Sequence, residues 1–286
     1  MSELAAILAG LSAAGRPAVL VTIVATKGSV PREVGARMLV HAEGTAGTVG
    51  GGVLEWQAIA RARAMLESGE REALLELVLG PELGQCCGGR ATLRLTRADA
   101  ATLDRLASEE AAERAARPRV LLFGAGHVGR ALARVLAPLP LRLGWIDPRP
   151  DAFPSDPPPG IECLCSEQPA RLLEEIPDVA AVLVLTHSHA LDFALVAAAL
   201  ARDDAVHVGL IGSASKRARF VSGLRALGLP EARIARLVCP LAGTTADKRP
   251  EVIALLAAAE LWRALAAVEK ARRAVRARRR GSSSWA

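Results

Sequence analysis

Apolar runs alternate along this chain with glycine-rich turns and amphipathic, alanine-rich stretches. In the first half, Glu3–Ala14 reads as a helix, and Ala18–Thr26, rich in valine and isoleucine, as a strand. Lys27–Gly35 is a turn-rich loop. Arg37–His41 reads as a second strand, followed by a turn at Glu43-Gly44. Gly47-Thr-Val-Gly-Gly-Gly52 leads into a helix over Leu54–Glu67, and two short strands, Leu74–Leu79 and Ala91–Thr96, follow it. This pattern predicts an N-terminal α+β domain over residues 1–107.

The second half alternates strand and helix. Strands are predicted at Arg119–Phe123, Leu141–Ile146, Ala181–Leu185 and His207–Ile211, with helices at Arg130–Leu136, Asp192–Ala201 and Lys216–Ala226. Regular alternation argues for a Rossmann-like, doubly wound parallel sheet over residues 118–268, so the fold class is α/β. The charged helical stretch 108–117 is expected to link the halves, and residues 269–286 form a basic tail. No internal repeat is evident.

Composition sharpens this picture in three ways. The net charge is +6, yet Lys270–Arg280 alone holds seven cations and no acid, leaving 29 cations against 30 anions elsewhere. The charge therefore describes a solvated helix end and not a binding face. There is no tyrosine, and the four tryptophans and four phenylalanines are scattered, which argues against nucleic-acid binding. The N-terminus lacks a basic leader pattern, and the most apolar run, Val179–Ala201, is interrupted by His187, His189 and Asp192, so no signal peptide or membrane span is expected. Five cysteines, two of them adjacent, fit a reducing cytoplasm better than a disulfide framework.

The candidate chemistry begins with Gly84-Gln-Cys-Cys-Gly-Gly89. Glycine on both sides lets the backbone turn sharply, and N–H groups in such a loop lower a thiol's pKa. Cys87, directly before Gly88-Gly89, is the first thiolate candidate and Cys86 the second. In the second half, Gly124-x-Gly126-x-x-Gly129 follows a strand and opens a helix, and Asp147 ends the next strand. This is the dinucleotide fingerprint in its required context, with phosphate expected at the helix N-terminus. His127 sits in that loop, and His187 and His189 follow the Ala181–Leu185 strand, at the sheet edge where open α/β sheets bind ligands. A zinc or iron site from His187, His189 and Asp192 is an alternative use of these residues. Gly50-Gly51-Gly52 before Leu54-Glu55 makes a second potential anion cradle, with Arg32 and Arg37 as forks for phosphate or carboxylate.

Taken together and in this order, these motifs resemble the XdhC/CoxI family of accessory proteins, which mature molybdenum-containing xanthine dehydrogenases. The resemblance rests on Gly28-Ser-Val-Pro-Arg32, Gly35-Ala-Arg-Met38, Gly47–Glu55, Gln85-Cys-Cys-Gly-Gly89, Phe123–Gly129, Ile146-Asp-Pro-Arg149, Thr186-His-Ser-His189 with Asp192, and Gly209-Leu-Ile-Gly-Ser213. One stretch departs: Cys239-Pro-Leu-Ala-Gly243 stands where the family usually carries Cys-Pro-Ile-Gly. The resemblance implies a cytoplasmic homodimer active in purine catabolism, an insertion protein and not a turnover catalyst. It would bind molybdenum cofactor (molybdopterin), hold it while a cysteine desulfurase supplies sulfur, and pass it to the large subunit of xanthine dehydrogenase. It further implies that Cys87 or Cys86 contacts molybdenum or carries sulfur, that Gly124, Gly126 and Gly129 hold phosphate, and that Asp147 takes a sugar or pterin donor. The alternative reading is an NAD(P)-dependent oxidoreductase, or a nucleotide binder, built on the Rossmann-like half.

Overall fold

Alternating apolar residues in the first half place one face of an antiparallel sheet against a helix. The computed structural model describes residues 4–79 and 88–281, in two units, 1–115 and 116–286. In the first unit the order is α1 (Leu4–Ala13), β1 (Ala18–Lys27), β2 (Arg37–His41), β3 (Gly44–Gly47), α2 (Gly52–Ser68), β4 (Glu72–Leu79), β5 (Gly89–Arg97) and α3 (Ala100–Ala116). The five strands run β3-β2-β1-β5-β4, with every pairing antiparallel. Val19, Val21 and Ile23 of β1, with Leu93 and Leu95 of β5, face α2. That helix answers with Leu54, Ala58, Ala62 and Met65, one stripe at helical spacing. On the opposite face Leu20 and Leu39 pack with Leu8 and Leu11 of α1 and Leu106 of α3.

Two features here are not expected from the pattern. β3 pairs with β2, although Gly44-Thr-Ala-Gly47 carries only small residues. Residues 108–117, expected to link the halves, are through Ala116 the last turns of α3. Their Glu110 is not merely solvated: its carboxylate accepts from the Leu4 and Ala5 N–H groups at 3.0 and 3.3 Å and so caps α1.

The second unit runs β6 (Arg119–Phe123), α4 (His127–Leu136), β7 (Arg142–Asp147), β8 (Ile161–Cys165), α5 (Pro169–Glu175), β9 (Val179–Val184), α6 (His189–Ala201), β10 (His207–Leu210), α7 (Ala214–Ala226), α8 (Glu231–Ile234), β11 (Leu237–Val238) and α9 (Pro250–Gly281). All six strands are parallel, in the order β11-β10-β9-β6-β7-β8. With β6 as the first strand this is 6-5-4-1-2-3, the doubly wound dinucleotide-domain order, whose direction reverses between β6 and β9. Both sheet faces are covered, which is why β6 and β9 read as continuous apolar runs. α6 and α7 pack on one face; α4 and α9 share the other, with Leu132 and Leu136 against Ala254, Ala257, Leu261 and Leu265. No helix among the described residues is long and apolar enough to cross a membrane.

His207, at the amino end of β10, is buried. Its Nε2 lies 3.6 Å from Glu260 Oε1 of α9, and neither atom has a hydrogen-bond partner. Burial pushes the imidazole pKa down to about 4 and raises that of Glu260. The unfolded chain takes up the His207 proton near the ordinary value of 6.5, the folded chain only near 4. Between these values the unfolded state holds more protons, so stability falls as pH drops from 6.5 toward 4. We predict that His207→Leu flattens this limb in urea unfolding series across that range. An unchanged slope in the variant would contradict a buried neutral imidazole.

Candidate functional site

The glycine loop after β6 assigns a separate job to each glycine. Gly124 has φ +114°, and a Cβ there would lie 2.3 Å from the Leu185 carbonyl oxygen, so only glycine lets the chains leaving β6 and β9 touch. A Cβ on Gly129 would lie 2.0 Å from the Gly124 carbonyl oxygen, so this glycine sets the approach of α4 to the sheet. Around Gly126 nothing lies within 4 Å of where a Cβ would stand. Gly126 is exposed and is the N-cap of α4, and no side chain caps that end. Its first-turn N–H groups are therefore open to an anion. Trp145 holds the loop from beneath, its indole N–H donating to the Gly124 carbonyl at 3.0 Å, and Arg130 donates from above to the Ala125 carbonyl at 3.2 Å.

Asp147 closes β7 beside this loop and is 2% exposed. Its Oδ2 accepts from the Ala125 N–H at 2.8 Å and from Arg149 Nη2 at 3.1 Å. Its Oδ1 accepts from the Arg149 N–H and Nε, each at 3.0 Å. Burial would raise its pKa, but the bonds from Arg149 and Ala125 outweigh burial and hold it below the ordinary carboxylate value.

The Thr186-His-Ser-His189 turn after β9 is organised by a buried ion pair. Asp192 is fully buried and accepts from Thr186 Oγ1 at 2.6 Å and from Lys216 Nζ at 2.6 Å. Lys216 also donates to the Ile211 carbonyl at 3.0 Å, tying the exits of β9 and β10 together. Ser188 caps α6 and Ser213 caps α7. His187 and His189 are exposed at this edge, as is His127 at the start of α4. A cavity of about 460 Å³ opens beside them, lined by His189, Gly212, Ser213, Ser215, Lys216 and Arg219. The Cys239 thiol lies 3.8 Å from the Ser213 carbonyl, and burial raises its pKa, so it is held as the thiol. The expected metal use of His187, His189 and Asp192 is corrected here: Asp192 is committed to Thr186 and Lys216, and among the described residues no three metal-ligating side chains converge.

In the first unit three glycine motifs meet. A Cβ on Gly89 would lie 2.0 Å from the Ser29 carbonyl oxygen, and one on Gly50 2.9 Å from Pro31. Gly88 bridges Ser29 and donates to the Leu79 carbonyl at 2.7 Å, closing the connection between β4 and β5. Cys86 and Cys87, on that connection, lie outside the described residues. The loop 50–52 differs from the expected cradle. The anion it holds is the chain's own: Glu55 Oε2 accepts from Thr48 Oγ1 at 2.5 Å and from the Val49 and Gly51 N–H groups at 3.2 and 3.1 Å. Arg37 is likewise committed, to Glu109 at 2.8 Å and Glu113 at 3.3 Å, while Arg32 pairs with Glu33, at 3.3 Å. Sequence reasoning missed the roles of Arg149 and Lys216. Arg149 had a usable signal, since an arginine two residues after a strand-ending aspartate can fold back onto it.

Two family models match the chain: the XdhC Rossmann domain over residues 120–261 and the XdhC and CoxI family over residues 11–77. The uncharacterized Escherichia coli (strain K12) protein YqeB is 29% identical over 260 residues; they make up 86% of this chain but 43% of that protein, so the chain spans less than half of its curated relative. A Bacillus halodurans protein whose crystal structure is described as that of a xanthine dehydrogenase superposes with a TM-score of 0.75 at 20% identity, covering 93% of this chain and 96% of that one. A Rossmann-fold NAD(P)-binding family protein from Shigella flexneri aligns with 39% of this chain and 63% of its own, at 18% identity and a TM-score of 0.31.

The three glycines of the loop should separate cleanly in unfolding experiments. Gly129→Ala should lose about 1–3 kcal/mol or fail to fold, because the clash is with backbone. Gly126→Ala should stay within about 0.5 kcal/mol of wild type, since its φ of −74° suits alanine and the space is open. Equal losses at both positions would contradict the assignment of separate roles.

Proposed function

Since the chain belongs to the XdhC and CoxI family, we propose that it acts in the maturation of xanthine dehydrogenase, as a chaperone that binds molybdenum cofactor during sulfuration and delivers it. The observation that carries this reading is the bare N-terminus of α4. Of the helices that follow β6, β9 and β10, those after β9 and β10 are capped by Ser188 and Ser213, and only α4 keeps its donors free. A cofactor ending in phosphate fits that place, held by the N–H groups from Gly126 onward with His127 at the rim. Gly124 and Gly129 shape the loop, and His187 and His189 stand along the same sheet edge.

The thiolate role falls to Cys87, then Cys86. A thiolate is a soft ligand suited to molybdenum and to persulfide sulfur. The Gly88-Gly89 seat that follows the pair packs on Ser29 and Val30, two residues before Arg32, whose half-exposed guanidinium is paired with Glu33. The bound cofactor would supply molybdenum redox chemistry to the client; this chain's part is to hold, shield and release it. The expected partners are the large subunit of xanthine dehydrogenase, a cysteine desulfurase and a second copy of this chain. A second reading, an NAD(P)-dependent oxidoreductase, draws on the same glycine fingerprint.

The test is activation of cofactor-free xanthine dehydrogenase. The Cys86→Ser, Cys87→Ser double variant should melt like the wild type yet fail to load the client. Full activation by that variant would remove the thiol role.

A further inference from the structure

In dinucleotide sites of this fold the acid that ends the second strand accepts hydrogen bonds from a ribose diol. Asp147 stands at that position, but it is not free to do so. A carboxylate offers about four lone-pair sites. Here four N–H groups already fill them: Ala125 N at 2.8 Å, Arg149 N at 3.0 Å, Arg149 Nε at 3.0 Å and Arg149 Nη2 at 3.1 Å. The arrangement is held from both sides. Ala125 belongs to the glycine loop itself, and Arg149 follows Asp147 through a single proline. A diol would have to expel a guanidinium to reach the carboxylate.

What a ligand meets instead is Arg149. Its side chain is 48% exposed, while its Asp147 partner is 2% exposed. Nε and Nη2 point at the carboxylate, which leaves the Nη1 donors and the second Nη2 hydrogen unassigned to it. The guanidinium is oriented by a buried anion and keeps its outer donors, an arrangement suited to a phosphate oxygen.

We infer that Arg149 makes the end of β7 a subsite for a phosphomonoester, and that it selects against ligands presenting an unmodified ribose diol there. The inference rests on the reading that the Gly124–Gly129 loop receives a ligand's phosphate. It adds which group such a ligand carries next to that phosphate.

The probes are adenosine 2′,5′-bisphosphate and adenosine 5′-monophosphate, which differ only in whether the ribose 2′ position carries a phosphomonoester. Calorimetric titration of the full chain should give at least about tenfold tighter binding of the bisphosphate. That preference should shrink as salt rises. Arg149→Ala should erase it or reverse it, because Asp147 is then open to the diol; Arg149→Lys, which keeps charge but not the fork, should retain only part of it. Equal affinity for the two probes in wild type, or an unchanged ratio in Arg149→Ala, overturns the inference and leaves the phosphate reading standing. If neither probe nor inorganic pyrophosphate binds, the phosphate reading falls and the inference with it.

Discussion

Close contact of backbone on backbone is the constraint on which both halves of this protein depend. A Cβ at Gly89 would stand 2.0 Å from the Ser29 carbonyl oxygen, and a Cβ at Gly129 would stand 2.0 Å from that of Gly124. No side chain fits at either place. The first contact seats the segment after the cysteine pair on the loop 28–30; the second brings α4 down onto the sheet and aims its N-terminus past Gly126. The glycines at these points lower helix and strand propensity, and the tertiary contacts they permit outweigh that local cost.

Around these contacts the protein neutralises several of its own anion-binding positions. Glu55 fills the loop 48–51, and Ser188 and Ser213 occupy the ends of α6 and α7. Asp192 and Lys216 satisfy each other in the interior, where an unpaired charge is costly. Asp147 is saturated by Ala125 and Arg149. Among the helices that follow β6, β9 and β10, the N-terminus of α4 is the one without a side-chain cap.

Much of this was legible in the sequence, and the exceptions have physical reasons. β6 and β9 are continuous apolar runs buried on both faces, β7 and β10 are short buried segments with an apolar core, and the loop Gly124–Gly129 carries its fingerprint openly. β8 is an edge strand with Cys163 and Cys165 exposed, and β11 is two residues long, so neither has a pattern to read. The triple glycine at 50–52 was legible as an anion loop, but not that the anion lies four residues downstream of Gly51. That pairing depends on how α2 turns, which no local motif encodes. Ala242 is a further case. It adopts φ +73°, a conformation that costs a residue with a Cβ about 1 kcal/mol and that nothing in the local sequence announces.

The central claim is that this chain carries molybdenum cofactor, and it is tested most directly by the molybdenum and pterin content of the protein purified anaerobically from cells that make the cofactor. The account predicts near-stoichiometric molybdenum and pterin in the wild type and their loss in Cys87→Ala. Protein that is free of both, and that carries or tightly binds NAD(P) instead, would contradict it.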